Sequence, residues 1–171
     1  MKKEFMTQND TEADMIFDLA DEVATETLAA RIAGMAKPGD VFTLIGNLGM
    51  GKTVFARAFI RAHCNADEEV PSPTFTLLQT YEAKETIIYH FDLYRIEKPN
   101  DAIELGIEEA FADGLTLIEW GERLDSLLPT NRLDVNLFPG DSTNARQVKL
   151  TGHGDWKIRL IEGFNQGSNH D

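Results

Sequence analysis

Residues 46–53, GNLGMGKT, have the composition and spacing of a loop that binds phosphate groups. Its three glycines let backbone N–H groups turn toward phosphate oxygens, and a helix that begins near Gly51 adds its positive end. Lys52 supplies a positive charge for the β and γ phosphates, and the hydroxyl of Thr53 is placed to bind Mg²⁺. Average residue frequencies give a chance match in under ~1% of chains of this length. The segment therefore predicts a nucleoside triphosphate site.

Two acidic residues stand where a metal-binding or water-ordering carboxylate would be needed beside such a loop. Asp92 ends the run IIYHFD, and Glu119 ends the run LTLIE. Each follows a short, mostly apolar run typical of a buried strand, so each side chain is expected at the strand mouth, facing the phosphates. Together with Lys52, these two carboxylates form the predicted catalytic set.

Apolar patterns indicate the elements that must hold these residues. Residues 11–14 have the form of a capping box, and apolar residues follow at helical spacing, so a helix of about five turns is predicted to begin there and to end near residue 34. Shorter apolar runs predict buried strands, and two late runs alternate as in a hairpin. The predicted strands are 41–45, 86–91, 115–118, 133–138 and 147–151, the predicted helices are 51–63 and 101–111, and residues 156–164 are ambiguous.

Strands interleaved with helices predict an α/β fold. We expect a P-loop NTPase-like, three-layer domain with a mixed sheet, in which a parallel core carries antiparallel additions. A length of 171 residues suits one domain, predicted at residues 1–164, and the polar end of the chain predicts a disordered tail at residues 165–171.

The charge balance restricts the partners. With 16 basic and 29 acidic residues the net charge is −13, so the chain lacks the clustered Lys and Arg of a free-standing binder of nucleic acid or anionic membrane. The acidic excess lies in residues 1–40 and 81–130, whereas the loop segment is neutral, which suits a triphosphate site. The single Cys64 fits a reducing compartment, and no apolar run reaches the roughly 20 residues of a membrane span. A cytoplasmic location without membrane contact is expected.

Other residues carry weaker signals. Residues 70–76, VPSPTFT, lie where a loop sensing the γ-phosphate could lie, although by themselves they favour an extended linker. His90 alternates with apolar residues in a strand, which favours a packed or half-exposed side chain over a catalytic one. Arg95 and Arg123 are too few for the arginine-lined lid of a phosphotransferase.

Four segments in order, LIGNLGMGKTVFAR, VPSPTFTLLQTY, HFDLYR and LIEWGE, resemble the motifs of the bacterial TsaE (formerly YjeE) family. Its members are small ATPases of threonylcarbamoyladenosine biosynthesis, which modifies an adenosine beside the anticodon of certain tRNAs. The resemblance covers about residues 11–150. It implies a P-loop α/β fold, use of ATP and Mg²⁺, and action with the threonylcarbamoyl transferase TsaD and its companion TsaB. In this family ATP binding and hydrolysis support multiple turnover rather than the transfer itself.

The resemblance also implies roles for individual residues. Thr53 and Glu119 match the magnesium contacts, and Asp92 matches a Walker-B-like aspartate. Glu12 and Arg146 are the nearest counterparts of nucleotide contacts at the start of the first helix and on a late strand. The residues matching the loop that holds the triphosphate are Leu48, Gly49, Met50, Gly51, Lys52 and Thr53.

Two more segments match the family with different fidelity. Ser72, Pro73, Thr74 and Thr76 match a switch-like SPT segment, which favours the sensing loop over the linker. In LIEWGE, Trp120 matches the aromatic residue beside the metal-binding glutamate. The family usually has proline where this chain has Gly121, which puts the stiffness of the turn after Trp120 in doubt.

Three functions stay open on these grounds. The first is an accessory ATPase of tRNA modification, in which a chain of charge −13 has no autonomous tRNA binding and docks on a more basic partner. The second is a small-molecule kinase, which the sparse arginines disfavour. The third is a nucleotide-dependent interaction module with negligible catalysis, in which ATP only orders the SPT segment.

Overall fold

The structure, a computed structural model, describes residues 3–9 and 12–166, with side chains described from residue 14 onward. Eight strands, five α-helices and a 3₁₀ segment make up this part of the chain. The strands are β1 (Lys3–Asn9), β2 (Glu12–Leu19), β3 (Val41–Ile45), β4 (Leu78–Glu82), β5 (Ile87–Asp92), β6 (Leu115–Glu119), β7 (Arg132–Pro139) and β8 (Arg146–His153). The helices are α1 (Glu22–Met35), α2 (Lys52–His63), α3 (Asp101–Glu104), α4 (Ile107–Asp113) and α5 (Trp156–Asn165), and the 3₁₀ segment is Gly121–Leu127.

All eight strands form one sheet in the order β1-β2-β8-β7-β3-β6-β5-β4. The central strands β7, β3, β6 and β5 are parallel, and antiparallel strands extend the sheet on both sides. This confirms the predicted mixed sheet with a parallel core and antiparallel additions. The chain leaves β3 toward β5 and β6 and returns to β7 on the other side of β3. The crevice at the carboxyl end of β3 is therefore a topological switch point, where ligands bind in open α/β sheets.

Helices α1, α2 and α5 cover one face of the sheet and form the larger core. Aromatic side chains join these layers: Phe42 of β3 lies 5.0 Å from Phe59 of α2 and 5.4 Å from Trp156 of α5, between ring centroids. The second face is covered by α3, α4 and the 3₁₀ segment over β3, β5 and β6, where Val41, Phe91 and Ile118 are buried. The three predicted layers are thus present over β3, β6 and β5.

The same second face stays polar over β7, β8 and β2. Asp134 accepts hydrogen bonds there from Thr43, Arg132 and His153, and Asp14 accepts one from Thr151. These bonds satisfy the polar groups without a helix above them. Within the described residues, the sheet therefore has two layers rather than three over β7, β8 and β2.

The first predicted helix is wrong in its first part. Residues 12–19 form strand β2, paired with β8 along its whole length, and Thr11, the predicted cap, lies outside the described residues. Met15, Phe17 and Leu19 alternate toward the core as a strand requires, whereas Val23, which helical spacing would bury, is 65% exposed. Helix α1 begins only at Glu22, where Oδ1 of the N-cap Asp21 accepts a hydrogen bond from the Ala24 N–H at 2.9 Å.

Other boundaries differ less. Strands β3, β5, β6, β7 and β8 and helix α2 confirm the predicted elements to within a few residues, and the ambiguous run 156–164 is helical. Gly106, with a φ of +84°, divides the predicted helix 101–111 into α3 and α4. Edge strands β1 and β4 were not predicted. Of the predicted tail, Asn165 ends α5 and residues 167–171 lie outside the described part.

Replacing the observed cap tests where the first helix begins. We expect Asp21→Ala to lower the free energy of unfolding by about 0.5–2 kcal/mol, because an orphan N–H of the first turn loses its acceptor. Asp21→Ser should retain most of the stability, and Glu26→Ala, at an exposed position of the same helix, serves as a control. The measurement is urea denaturation followed by circular dichroism; equal losses in the Ala and Ser variants would contradict the capping role.

Candidate functional site

The phosphate-binding loop connects β3 to α2 and depends on glycine at three positions. Gly46, Gly49 and Gly51 have φ values of +154°, +80° and +103°, which side chains other than glycine rarely adopt. At Gly46 space is also restricted, since a Cβ would lie 2.8 Å from the carbonyl oxygen of Leu137. Gly51 is the N-cap of α2 and has no side chain to cap the helix. The first N–H groups of α2 therefore stay available for an anion.

Lys52 is held inside this loop. Its side chain is 6% exposed, and Nζ donates to the carbonyl oxygens of Gly46 at 2.5 Å and Asn47 at 3.1 Å. The ammonium group also lies 4.6 Å from the ring centroid of Trp120. Burial lowers the pKa of Lys52, and the negative charge of Glu119 opposes this shift. The loop therefore contains a partly desolvated ammonium group, whose positive charge the negative charge of a polyphosphate would neutralise.

Asp92 and Glu119 lie side by side beneath the loop because the register of parallel strands β5 and β6 pairs them directly. Both side chains are buried. The Thr53 hydroxyl donates to Oε1 of Glu119 at 3.0 Å, and Oε2 of Glu119 lies 2.7 Å from Nε2 of His90. Two strands and one helix thus bring a hydroxyl and two carboxylates to one point.

These oxygen atoms suit magnesium. Mg²⁺ prefers hard oxygen ligands and is usually bound through one or two carboxylates, waters and substrate phosphates rather than by an all-protein cage. Within the described residues, no three His, Cys, Asp or Glu side chains form a group that could hold a metal by themselves. Thr53 and Glu119 therefore fit a metal whose remaining ligands come from water and from the phosphates of a nucleotide.

The SPT segment contacts the second carboxylate. Oδ2 of Asp92 accepts a hydrogen bond from the Thr74 hydroxyl at 3.1 Å, and Thr74 is in turn 2.7 Å from the Ser72 hydroxyl. The other oxygen of Asp92 accepts from the backbone N–H of Tyr94 at 3.0 Å. Leu77, which ends the segment, has a φ of +68° and donates its N–H to the Pro73 carbonyl. The segment is thus a tight turn against Asp92 rather than an extended linker.

Two cavities lie on either side of the loop and share Gly49, Gly51 and Val54 as a common wall. One, of about 280 Å³, is lined by Lys52, Thr53, Ser72, Thr74, Asp92, Glu119 and Trp120, among others. The other, of about 380 Å³, is lined by the start of α1, by Met50 and by Asn144 and Arg146. An elongated ligand that crosses the loop can therefore occupy both.

A protein-family model described as "Threonylcarbamoyl adenosine biosynthesis protein TsaE" matches residues 19–148 of this chain. The chain belongs to the TsaE family. Among curated TsaE proteins, that of Rickettsia bellii is 46% identical over 119 residues, covering 70% of this chain and 83% of the relative. That of Bacillus subtilis is 34% identical over 146 residues, covering 85% and 90%. The crystal structure of Bacillus subtilis YdiB matches with a TM-score of 0.77 and 29% identity, covering 94% of this chain and all of that one.

The structure brings together most residues that the TsaE resemblance points to, with one exception. Leu48, Gly49, Met50, Gly51, Lys52, Thr53, Asp92, Glu119 and Arg146 line the two cavities. Glu12 is the exception, because it begins β2 and pairs with His153 at the far end of β8. Leu19, at the other end of β2, pairs with Arg146 beside the loop. Glu12 therefore lies at the end of β2 away from the loop, because the first helix starts ten residues later. Its place at the cavity is taken by Asp21, Glu22 and Val23.

Arg146 supports the loop as well as lining the cavity. Its guanidinium donates to the carbonyl oxygens of Gly49 at 3.1 Å and of Thr143 and Ala145 at 2.8 Å. The contact with Gly49 joins the β7–β8 hairpin to the middle of the loop. Arg146 therefore restrains the loop from outside while one edge of the side chain faces the cavity.

The residue pattern understated the importance of His90. It is fully buried, which confirms the packed side chain that alternation predicts, and it also contacts Glu119, which alternation does not indicate. A signal was present in the sequence: His90 and Asp92 are two residues apart in a strand and must face the same side of the sheet. Tyr94 was not singled out either, and its ring lies 4.9 Å from that of Trp120.

Arg95 and Arg123, which are too few to form the lid of a kinase, both pack against aromatic rings. The guanidinium of Arg95 lies 5.7 Å from the ring centroid of Phe75, and that of Arg123 lies 5.6 Å from the ring of Tyr94. Neither side chain is among the residues lining the two cavities. Within the described residues the site has no arginine-lined lid.

Gly121, which stands where the TsaE motif usually has proline, packs against β3. A Cβ at this position would lie 2.8 Å from Cγ2 and 3.0 Å from Cβ of Thr43. Thr43 is itself buried and fixed, since its hydroxyl donates to Asp134 at 2.5 Å. The turn after Trp120 is therefore restrained by contact with the sheet, and the absence of a side chain at residue 121 accommodates Thr43.

This packing gives a test of coupling. We expect Gly121→Ala to lower the free energy of unfolding by about 1–3 kcal/mol, as overpacking of a fixed core does. Thr43→Ser removes the nearer methyl group and keeps the hydroxyl, so the double variant should lose less stability than the sum of the two single variants. Urea denaturation measures all three; additive losses would show that the two residues do not compete for space.

Proposed function

We propose that this TsaE-family protein binds and hydrolyses ATP as an accessory protein of tRNA N6-threonylcarbamoyladenosine modification, acting with TsaD and TsaB to support turnover. The observation that carries the proposal is the meeting of Lys52, Thr53, Asp92 and Glu119 at one cavity beneath a glycine-rich loop. The names of the curated relatives support the pathway. None of the described helices is long and apolar enough to cross a membrane. We infer action in the cytoplasm, with the tRNA held by the partners.

The loop and α2 bind the triphosphate in this proposal. Backbone N–H groups of the loop and the first turn of α2 donate to phosphate oxygens, and Lys52 exchanges carbonyl partners for phosphate. Thr53 and Glu119 offer oxygen atoms to the metal. When bound, magnesium would neutralise charge on the β and γ phosphates. The buried setting of these groups strengthens each electrostatic contact relative to water.

Asp92 orders the attacking water or the waters of the metal. Its two oxygens are fixed by Thr74 and by the Tyr94 N–H, so the carboxylate is oriented before a ligand arrives. The hydrogen bond with Thr74 also connects Asp92, the proposed catalytic residue, to the SPT segment. A change in the charge near Asp92 would therefore alter the hydrogen bond that holds the segment in its turn.

The larger cavity accepts the nucleoside. The carboxylates of Asp21 and Glu22 at the start of α1 are hydrogen-bond acceptors suited to ribose hydroxyl groups, and Met50 and Val54 supply apolar contact. Arg146 adds a positive charge beside the loop. This assigns to the start of α1 the contact that the family resemblance predicted for the start of the first helix.

The loop and the SPT segment each carry an exposed apolar side chain. Leu48 on the loop is 73% exposed, and Phe75 in the SPT segment is 83% exposed. A partner that covers them would touch the loop and the switch-like segment together. This supports action in a complex with TsaD and TsaB, which fits a net charge of −13 that disfavours direct tRNA binding.

Removing the loop lysine tests the nucleotide site. Hydrogen bonds to charged groups contribute about 1.5–3 kcal/mol, so we expect Lys52→Ala to weaken ATP binding by about 10- to 100-fold. The matched control is Lys84→Ala in the exposed turn between β4 and β5, at the end of β5 that lies away from Asp92. Isothermal titration calorimetry with ATP and Mg²⁺ measures the affinity. Equal affinity in the two variants would refute the site.

Replacing the aspartate separates hydrolysis from binding. We expect Asp92→Asn to lower the ATPase rate by about 100-fold or more while the affinity for ATP changes by less than about threefold. Phosphate release with and without TsaD and TsaB is the measurement, and the wild-type rate should rise with both partners. Transfer of the γ-phosphate to a metabolite rather than to water would indicate a kinase instead.

The pathway assignment has its own test. A reconstituted reaction with TsaD, TsaB, threonylcarbamoyl donor and tRNA should stop after about one turnover per complex when this protein is omitted, and Lys52→Ala should not restore it. A pull-down with ATP and Mg²⁺ should recover both partners with the wild-type chain and less of them with Lys52→Ala. Full modification over many turnovers without this protein would contradict the proposal.

A further inference from the structure

His90 occupies the interior of the sheet directly behind the predicted metal contact. Its side chain has no exposed surface, and Nε2 lies 2.7 Å from Oε2 of Glu119. The other oxygen of Glu119 accepts from the Thr53 hydroxyl. Both oxygens of this buried carboxylate are therefore fixed by hydrogen bonds, one from the loop side and one from within the sheet.

The hydrogen-bond pattern selects one form of the imidazole. An ionised carboxylate only accepts hydrogen bonds, so the hydrogen between the two groups must belong to Nε2. Nδ1 of His90 is buried and has no hydrogen-bond partner within the described residues. A proton on Nδ1 would be a buried donor without an acceptor, which costs more than a bare nitrogen lone pair does. A hydrogen on Nε2 fits both nitrogens, because Nε2 then donates to Glu119 and Nδ1 needs no acceptor.

We propose that His90 is a positioning residue for Glu119: it holds Oε2 from within the sheet, so that Oε1 faces Thr53 and the phosphate-binding loop. The inference rests on the proposed function, in which Thr53 and Glu119 share the magnesium of MgATP. Histidine and carboxylate groups behind a metal ligand commonly fix its orientation, and losing one costs about 10- to 100-fold in metal affinity or activity.

The surroundings explain why Glu119 needs this support. The buried ammonium of Lys52 is close enough for its charge to interact with that of Glu119. A Glu119 side chain with only one oxygen fixed could turn toward Lys52 and pair with its ammonium group. The metal would then lose a ligand, and Lys52 would no longer be available to the phosphates. The hydrogen bond from His90 keeps the carboxylate of Glu119 facing Thr53, so that Lys52 stays available to the phosphates.

A pair of variants separates positioning from packing. In His90→Gln the side-chain amide has a donor as many bonds from Cα as Nε2 of histidine, whereas in His90→Met a chain of similar length has none. A residue that only fills space would tolerate both about equally. Matched controls are His63→Gln and His63→Met. This half-buried histidine ends α2 and lines a cavity with Leu115, which is at the amino end of β6 and so at the other end of the strand from Glu119.

The main experiment measures magnesium dependence apart from nucleotide binding. Calorimetric titration with ATP in EDTA gives the affinity of the loop alone. A titration at saturating ATP against the concentration of free Mg²⁺, followed by the intrinsic fluorescence to which Trp120 and Trp156 both contribute, gives the apparent metal affinity. We expect His90→Met to weaken the apparent Mg²⁺ affinity by about 10- to 100-fold and the EDTA affinity by less than about threefold. His90→Gln should recover the metal affinity to within about threefold of wild type, and the His63 variants should not change it.

The outcomes distinguish the two proposals. Unchanged Mg²⁺ affinity in His90→Met, or equal losses in the Gln and Met variants, would overturn the role of His90 and leave the nucleotide site standing. A wild-type protein without affinity for ATP would overturn the proposed function instead.

A spectroscopic measurement on the wild-type protein tests the hydrogen bond of His90 without any ligand. Long-range ¹H–¹⁵N correlation spectra of the imidazole report which ring nitrogen carries the proton. We expect the Nε2–H form for His90, assigned by the loss of its signals in His90→Gln. A ring protonated at Nδ1 would overturn the inference, because Nε2 could then not donate to Glu119.

Discussion

The parallel pairing of β3, β6 and β5 is the constraint on which the rest of the site depends. It places Glu119 beside Leu44 of β3 on one side and beside Asp92 of β5 on the other. Because parallel strands end at the same edge, both carboxylates meet the loop that follows β3. A slip of one residue in either register would turn a carboxylate to the opposite face of the sheet. The buried apolar residues of these strands resist such a slip, so the core fixes the position of the site.

Within this frame the charges are arranged before any ligand binds. Lys52 is surrounded by carbonyl oxygens, Asp92 by Thr74 and a backbone N–H, and Glu119 by Thr53 and His90. Buried charges are tolerated only when they are paired or hydrogen-bonded. The same bonds that satisfy these groups also orient them, so the stability of the site and the orientation of its side chains have one physical origin.

The site is also joined to the surface. Asp92 contacts Thr74, and the side chain of the neighbouring Phe75 is exposed. A single turn therefore connects the proposed catalytic carboxylate to an exposed apolar side chain. This short path is the kind of contiguous element through which a nucleotide and a partner protein can influence each other.

Residue types and spacing determined the phosphate-binding loop, the two strand-end carboxylates, the mixed sheet and the family, because each depends on a local pattern that few other structures satisfy. Only the tertiary structure decided that residues 12–19 are a strand. Their apolar residues fit both the helical and the strand spacing, and pairing with β8 selects the strand. That choice moved the helix start from the region of Glu12 to Asp21. The bond between His90 and Glu119 likewise depends on two strands 29 residues apart, whose register no local pattern contains.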